Sequence, residues 1–146
     1  MAWWLGSISS KSAGNWDLCK AVQSYGVPGV GIHASSVRVD DRLMIWLGGK
    51  GYVASCTVTS APRVPKDHAE APWSGGLRRF SWVIPFRVDC EVEHGWKPPF
   101  TGSVQTVTGV TKNMLMMSFV PMLDRIADLV VEQLCGAPVE HSDLAG

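Results

Sequence analysis

Several stretches of this 146-residue sequence carry residue types that do chemistry. Asp67-His68-Ala69-Glu70 holds His-x-Glu, half of a zinc nucleobase-deaminase signature in which the imidazole binds metal and the carboxylate moves the proton. The Pro-Cys-x-x-Cys half, which supplies the remaining ligands, is missing, so a polar loop is the simpler account. Cys90 and His94 are the nearest thiol and imidazole, yet four residues along a strand set them about 13 Å apart, too far for proton transfer. Trp46 to Tyr52 reads WLGGKGY and has the glycines and lysine of a phosphate cradle, but Gly51 stands where the Mg²⁺-binding hydroxyl must follow the lysine. GVPGVG, from Gly26, spaces its glycines in reverse of the dinucleotide fingerprint. Cys19, Cys56, Cys90 and Cys135 are dispersed without a Cys-x-x-Cys pair, which reads as buried free thiols and not as a zinc or dithiol site. No catalytic group, metal set or cofactor loop emerges, and a noncatalytic protein is expected.

The indoles point elsewhere. The chain has 7 tryptophans, and flat rings serve either as core filler or as stacking platforms. Trp73 lies in APWSGG, a polar loop where burial is hard to arrange, and Trp46 ends an apolar run. Rings offered from such positions can sandwich a planar guest, and stacking a base on an aromatic ring is worth roughly 1–3 kcal/mol. The formal net charge is zero, but up to Phe80 there are 9 Lys/Arg against 5 Asp/Glu, and from Ser81 onward 4 against 8. That balance excludes a protein holding duplex backbone by sheer basic excess, though not one with a basic face. With no apolar run near the ~20 residues of a membrane span and no secretion signal in MAWWLGSISS, a cytoplasmic, reduced, soluble protein is expected.

These residues need elements to position them. Ala2 to Ile8 reads as a first strand. Asn15 reads as the N-cap of a helix with Asp17 in its first turn and Leu18, Cys19, Val22 and Tyr25 at helical spacing, stopped by Gly26 and Pro28. Arg42 to Leu47 and Tyr52 to Ser60 read as strands, which makes Gly48-Gly49-Lys50-Gly51 a hairpin turn, and Tyr52, Ala54, Cys56 and Val58 share one face by alternation. FSWVIPFRVDCEV alternates Phe80, Trp82, Ile84, Phe86, Val88, Cys90 and Val92 against polar residues. It is one long strand with a bend or bulge expected at Pro85, as when a sheet curls. Ala61 to Gly76 reads as a surface loop and Lys112 to Met117 as a short helix. Pro121 opens a better helix with Leu123, Ile126, Leu129, Val130 and Leu134 as its apolar stripe and Gly136 at its end. One domain over 1–135 and a flexible tail over 136–146 follow.

Taken in order, AWWLGSISS, NWDLCKAVQSYGVPGV, DRLMIWLGGKGYVASCTVTSAP and APWSGG before FSWVIPFRVDCEV resemble the EVE domain, a PUA-like family related to YTH domains. The match covers residues 2 to about 134 and rests on the order of its elements and the Asn-Trp-x-x-Cys-Lys helix start. The resemblance implies an α+β fold, a small PUA-like curved β-barrel with flanking helices, and a pocket at one barrel end. It further implies a reader of modified DNA or RNA, methylcytosine among its guests, that accepts a flipped base between aromatic rings. Carried over by position, Ser7, Ser9, Asn15, Trp16, Trp46, Leu47, Gly48 and Trp73 line the pocket. Lys50 lies near the phosphate track. Relatives carry an aromatic where this chain has Pro28, and Tyr25 or Trp16 is the ring placed to substitute. Arg63, Lys66, Arg78 and Arg79 bracket the Trp73 loop, either to hold phosphate or as a solvated surface. A nuclease or modification-system partner stays open, as do a nucleoside-like small-molecule receptor and a protein-interaction scaffold.

Overall fold

The computed structural model describes residues 1–12, 14–29, 33–96 and 119–136. It has six strands, β1 (Trp3–Ile8), β2 (Ser24–Pro28), β3 (Arg42–Leu47), β4 (Gly51–Val58), β5 (Phe80–Trp96) and β6 (Phe119–Met122). Among the described residues the α-helices are α1 (Asn15–Val22), the single turn α2 (Gly76–Arg79) and α3 (Asp124–Cys135). The strands form one mixed sheet in the order β2-β5-β4-β3-β1-β6, in which β1 runs parallel to β3 and every other pairing is antiparallel. The first half of β5 pairs with β2 and the second half, from Phe86, with β4, so this long strand carries the sheet around a curve. Tyr25 spans the hollow. Its hydroxyl donates to the Ser7 carbonyl at 3.0 Å, and its ring lies 2.9 Å from where a Cβ on Gly6 would stand. The result is a curled half-barrel with flanking helices, the α+β architecture expected from the sequence.

Alternation along the strands divides the buried side chains between two faces. Leu43, Ile45 and Leu47 of β3 point into the hollow with Trp4, Ile8, Tyr25, Val27 and Phe86, and α1 adds Trp16 and Cys19. Met44 and Trp46 point outward with Trp3, Leu5 and Tyr52. There α3 covers them with Ile126, Val130 and Leu134 of the apolar stripe read from the sequence, together with Ala127. Leu123 of that stripe instead precedes the helix and is 59% exposed.

Several local expectations change. Gln23 takes a left-handed conformation (φ 54°) and ends α1 early, so Tyr25 belongs to a strand and not to the helix. Gly14 precedes the helix without a side-chain cap, and Asn15 is its first residue. Pro121 lies in β6 instead of opening α3. As the edge strand of the sheet, β6 tolerates a residue without an N–H. In β4, Trp46 pairs with Tyr52 and Ile45 with Ala54, which leaves Val53 as an extra residue and turns Tyr52 to the outer face, away from Ala54 and Cys56. In β5 one irregularity comes before Pro85, where Val27 pairs with Trp82 and Pro28 with Phe80 so that Ser81 is additional, and others come after it: Cys56 pairs with Val88 and Ser55 with Cys90, so Asp89 is an additional residue. Cys90 therefore packs against the outer cluster and is joined to Cys135 by a disulfide, whereas Cys19 and Cys56 are buried free thiols. No helix among the described residues is long and apolar enough to cross a membrane. The expected Lys112–Met117 helix, and the tail beyond Gly136, lie outside the described residues.

Candidate functional site

The loop between β4 and β5 tucks Trp73 inward. Arg63 exchanges two backbone hydrogen bonds with Val83 (3.0 and 2.7 Å), which fixes the loop to β5. Glu70, the carboxylate of the deaminase-like motif, braces the loop: one oxygen accepts from the Lys66 amide at 2.8 Å and the other from the Arg63 guanidinium at 3.3 Å. The Gly76 amide then donates to the Trp73 carbonyl at 2.9 Å, closing a turn whose glycines take positive φ (96° at Gly75, 48° at Gly76). This turn folds Trp73 back onto β2, where its ring lies against Phe80 with centroids 5.0 Å apart. A Cβ on Gly26 would stand 2.7 Å from the Trp73 ring and 2.8 Å from Phe80, so only glycine admits the indole here.

Trp73 is 3% exposed, and its indole N–H has no hydrogen-bond partner among the described residues. Its polar neighbour is the Cys19 thiol. Burial pushes that thiol up to about 12, against the pull of the Trp73 N–H and the Gly26 backbone, so it stays protonated and is a weak acceptor. Leaving a buried donor unpaired costs about 1–3 kcal/mol. Of the nearby cations in sequence, Lys66, Arg78 and Arg79 are exposed and Arg63 is in an ion pair with Glu70; the Arg79 guanidinium lies 5.1 Å from the Phe80 ring, itself against Trp73.

A second group of expected residues meets where the end of β1 adjoins the β3–β4 turn. Ser7 pairs with Trp46 and Ile8 with Leu47 in the parallel register, and the Gly48 amide donates to the Ile8 carbonyl at 2.7 Å. A Cβ on Gly48 would stand 2.6 Å from the Ser10 amide nitrogen, so the hairpin turn and the loop after β1 are pressed together through this glycine. Ser9 accepts from the Lys11 amide at 3.2 Å, Leu47 is core, and Lys50 is exposed at the tip. Ser7 Oγ is buried without a hydrogen-bond partner among the described residues.

Trp46 and Trp73 do not face each other. Trp46 lies on the outer face, edge-on to Tyr52 at 4.9 Å, while Trp73 belongs to the hollow, so the pair cannot sandwich one guest. Trp16 is also committed. It stacks on Phe86 at 5.9 Å and donates to Glu91 at 2.9 Å, while Lys20 bonds the same oxygen at 2.8 Å and lies 5.4 Å above the indole. Burial raises the Glu91 pKa, but the Lys20 and Trp16 hydrogen bonds outweigh it and hold the carboxyl below its usual range. Asn15 is half-buried at the start of α1. Tyr25 is internal, its hydroxyl pushed far up by burial, and supplies no open ring in place of the aromatic that Pro28 lacks. Sequence reasoning missed Cys19, Gly26 and Phe80 as the walls around Trp73. Gly26 read as a helix stop, and its real signal was a glycine between the apolar residues of an unrecognised strand.

No protein-family model matches the sequence, and no curated protein matches it. Solved structures do. The chain is similar to Rpa0253 from Rhodopseudomonas palustris (18% identity, TM-score 0.58, covering 97% of this chain and 98% of that one). It is also similar to Atu2648 from Agrobacterium tumefaciens (17% identity, TM-score 0.57, 94% and 97%). A third similar structure is the Pho92 YTH domain in complex with m6A (7% identity, TM-score 0.57, 95% and 86%). At these identities the likeness defines the fold. The chain's α+β fold is similar to that of the YTH domain.

Proposed function

We propose that the chain is a noncatalytic, EVE-type reader that draws a modified nucleobase out of DNA or RNA and stacks it on one ring, that of Trp73. The observation that carries this reading is the buried Trp73 N–H, held among the described residues by no better acceptor than the Cys19 thiol, on a stretch of chain that also carries Arg63, Lys66, Arg78 and Arg79. The YTH-like fold supports it, since the similar YTH domain was solved in complex with m6A. Extracting a base costs a few kcal/mol, less from a single strand. Stacking returns roughly 1–3 kcal/mol, and an acceptor on the base edge satisfies the stranded donor. A methyl group in a dry niche adds about 0.8 kcal/mol, enough for modest discrimination alone. With Trp73 only 3% exposed, admission requires the loop to swing outward, and the positive-φ pair Gly75-Gly76 is its natural hinge.

The same burial favours a second reading, a protein-interaction scaffold whose hollow is filled by its own side chains. Fluorescence polarisation with modified and unmodified DNA and RNA oligomers separates the two. Trp73→Ala is a poor probe, because emptying a core indole site costs about 3–5 kcal/mol by itself. Trp73→Phe keeps a ring and removes the N–H. The reader is expected to lose about tenfold in affinity for its modified oligomer, the worth of one hydrogen bond to a buried donor, while still folding. If no oligomer binds the wild-type chain, the scaffold reading stands.

A further inference from the structure

Cys90 sits half-buried in β5 beside Val92 and Trp96, partners of the outer cluster. Cys135 is the last residue of α3 and is exposed. Their Cα atoms are 5.9 Å apart across 45 residues of sequence. Leu134, 7% exposed, is the apolar residue that seats this last turn on the sheet, where α3 lies over Trp46 and Tyr52. We infer that the Cys90–Cys135 pair is a redox-operated latch that fixes the end of α3 to β5 over the outer aromatic cluster. It answers to a low-molecular-weight thiol and its disulfide.

The selectivity is built into the fold. Cys19 and Cys56 are 2% and 0% exposed, and burial pushes both thiols upward in pKa, so neither reaches nor attacks a solvent disulfide. Of the four cysteines, one pair is addressable. In the opening direction a thiolate such as that of glutathione attacks the exposed Cys135 sulfur, which breaks the S–S bond and leaves Cys90 as a thiol after it takes a proton. A second glutathione attacks the mixed disulfide, releasing the Cys135 thiol and oxidised glutathione. Two electrons and two protons enter the protein, and two glutathiones leave joined. The last turn of α3 is then held by Leu134 and its neighbours alone, and a helix end with so few contacts frays.

The test equilibrates the full chain in glutathione buffers of graded ratio. Linked peptides are followed by mass spectrometry and backbone amides by hydrogen exchange. The expected result is a reversible transition that consumes two of four thiols and joins Cys90 to Cys135. Reduction should speed exchange in the last two turns of α3 by about tenfold or more and leave β3 unchanged. Cys135→Ser should behave as the reduced protein in every buffer, and Cys90→Ser should agree with it if it folds. Four free thiols in all buffers, a bond that stays closed at the most reducing ratio, or equal exchange of α3 in both forms overturns the latch.

Discussion

Gly26→Ala is the sharpest physical probe of the Trp73 packing. The new Cβ would lie 2.7 Å from the indole and 2.8 Å from Phe80, in a place where Trp73 is 3% and Phe80 5% exposed. Carbon atoms rest at about 3.5–4.0 Å, so the ring must retreat by roughly 1 Å. Overpacking of this kind costs about 2 kcal/mol, a fall in melting temperature of roughly 4–8 °C for a domain of this size. Gly14→Ala is the matched control, since nothing lies within 4 Å of its Cβ position and its φ is −64°. Differential scanning calorimetry on both variants, with tryptophan emission recorded alongside, reads the difference. If Gly26→Ala melts with Gly14→Ala, the indole does not rest on β2 and the site as described here is wrong. If Trp73 is the stacking platform, Gly26→Ala should also weaken oligomer binding, and Gly14→Ala should not.

Two further outcomes follow from the carboxylates Asp41 and Glu91. Asp41, 4% exposed, accepts from the Ala2 amide (2.8 Å), the Trp4 indole (3.0 Å) and the Arg38 amide (2.9 Å). Burial raises its pKa, but these donors and the nearby N-terminal charge hold it below its ordinary 3.8. Its folded pKa is the lower one, so its contribution is complete above the unfolded value and is lost as pH falls through the folded value. Urea titrations between about pH 2 and 7 should show a steeper acid loss for wild type than for Asp41→Asn, which should be less stable near neutrality by roughly 1–3 kcal/mol. Glu91→Gln removes the charged partner of Lys20 and weakens the acceptor of Trp16. Because the pair is about one-third exposed, the loss should stay near ~1 kcal/mol, together with a shift in tryptophan emission. An unchanged spectrum would mean the Trp16–Glu91 bond does not persist in solution.

The parts of this fold written in local pattern were legible. β3, the glycine turn after it, β4 and the stripe of α3 follow from alternation, turn chemistry and helical spacing. β2 was hidden because the signal that ends α1 is the left-handed conformation of Gln23, a residue with no special preference for it. β6 was hidden because a proline before an amphipathic run is the ordinary mark of a helix start, and only the strand's place at the sheet edge makes Pro121 acceptable. The site suffered from the same cause. One extra residue at Val53 and another at Asp89 change which side of the sheet the later side chains occupy, and periodicity cannot see an inserted residue. Trp46 and Trp73 both looked available from their neighbours in sequence; it took the sheet's two faces to separate them.

β1 lies between β3 and β6, so its two hydrogen-bonding edges are completed by segments beginning at Arg42 and Phe119. On a ribosome, Trp3, Trp4 and Leu5 would therefore emerge before either partner strand and wait, their second edge unfilled until β6 had been made. Such distant closure slows folding and leaves an adhesive strand exposed to neighbours in the meantime. Nascent chains of this protein should lean on a holding chaperone until Met122 has cleared the exit tunnel.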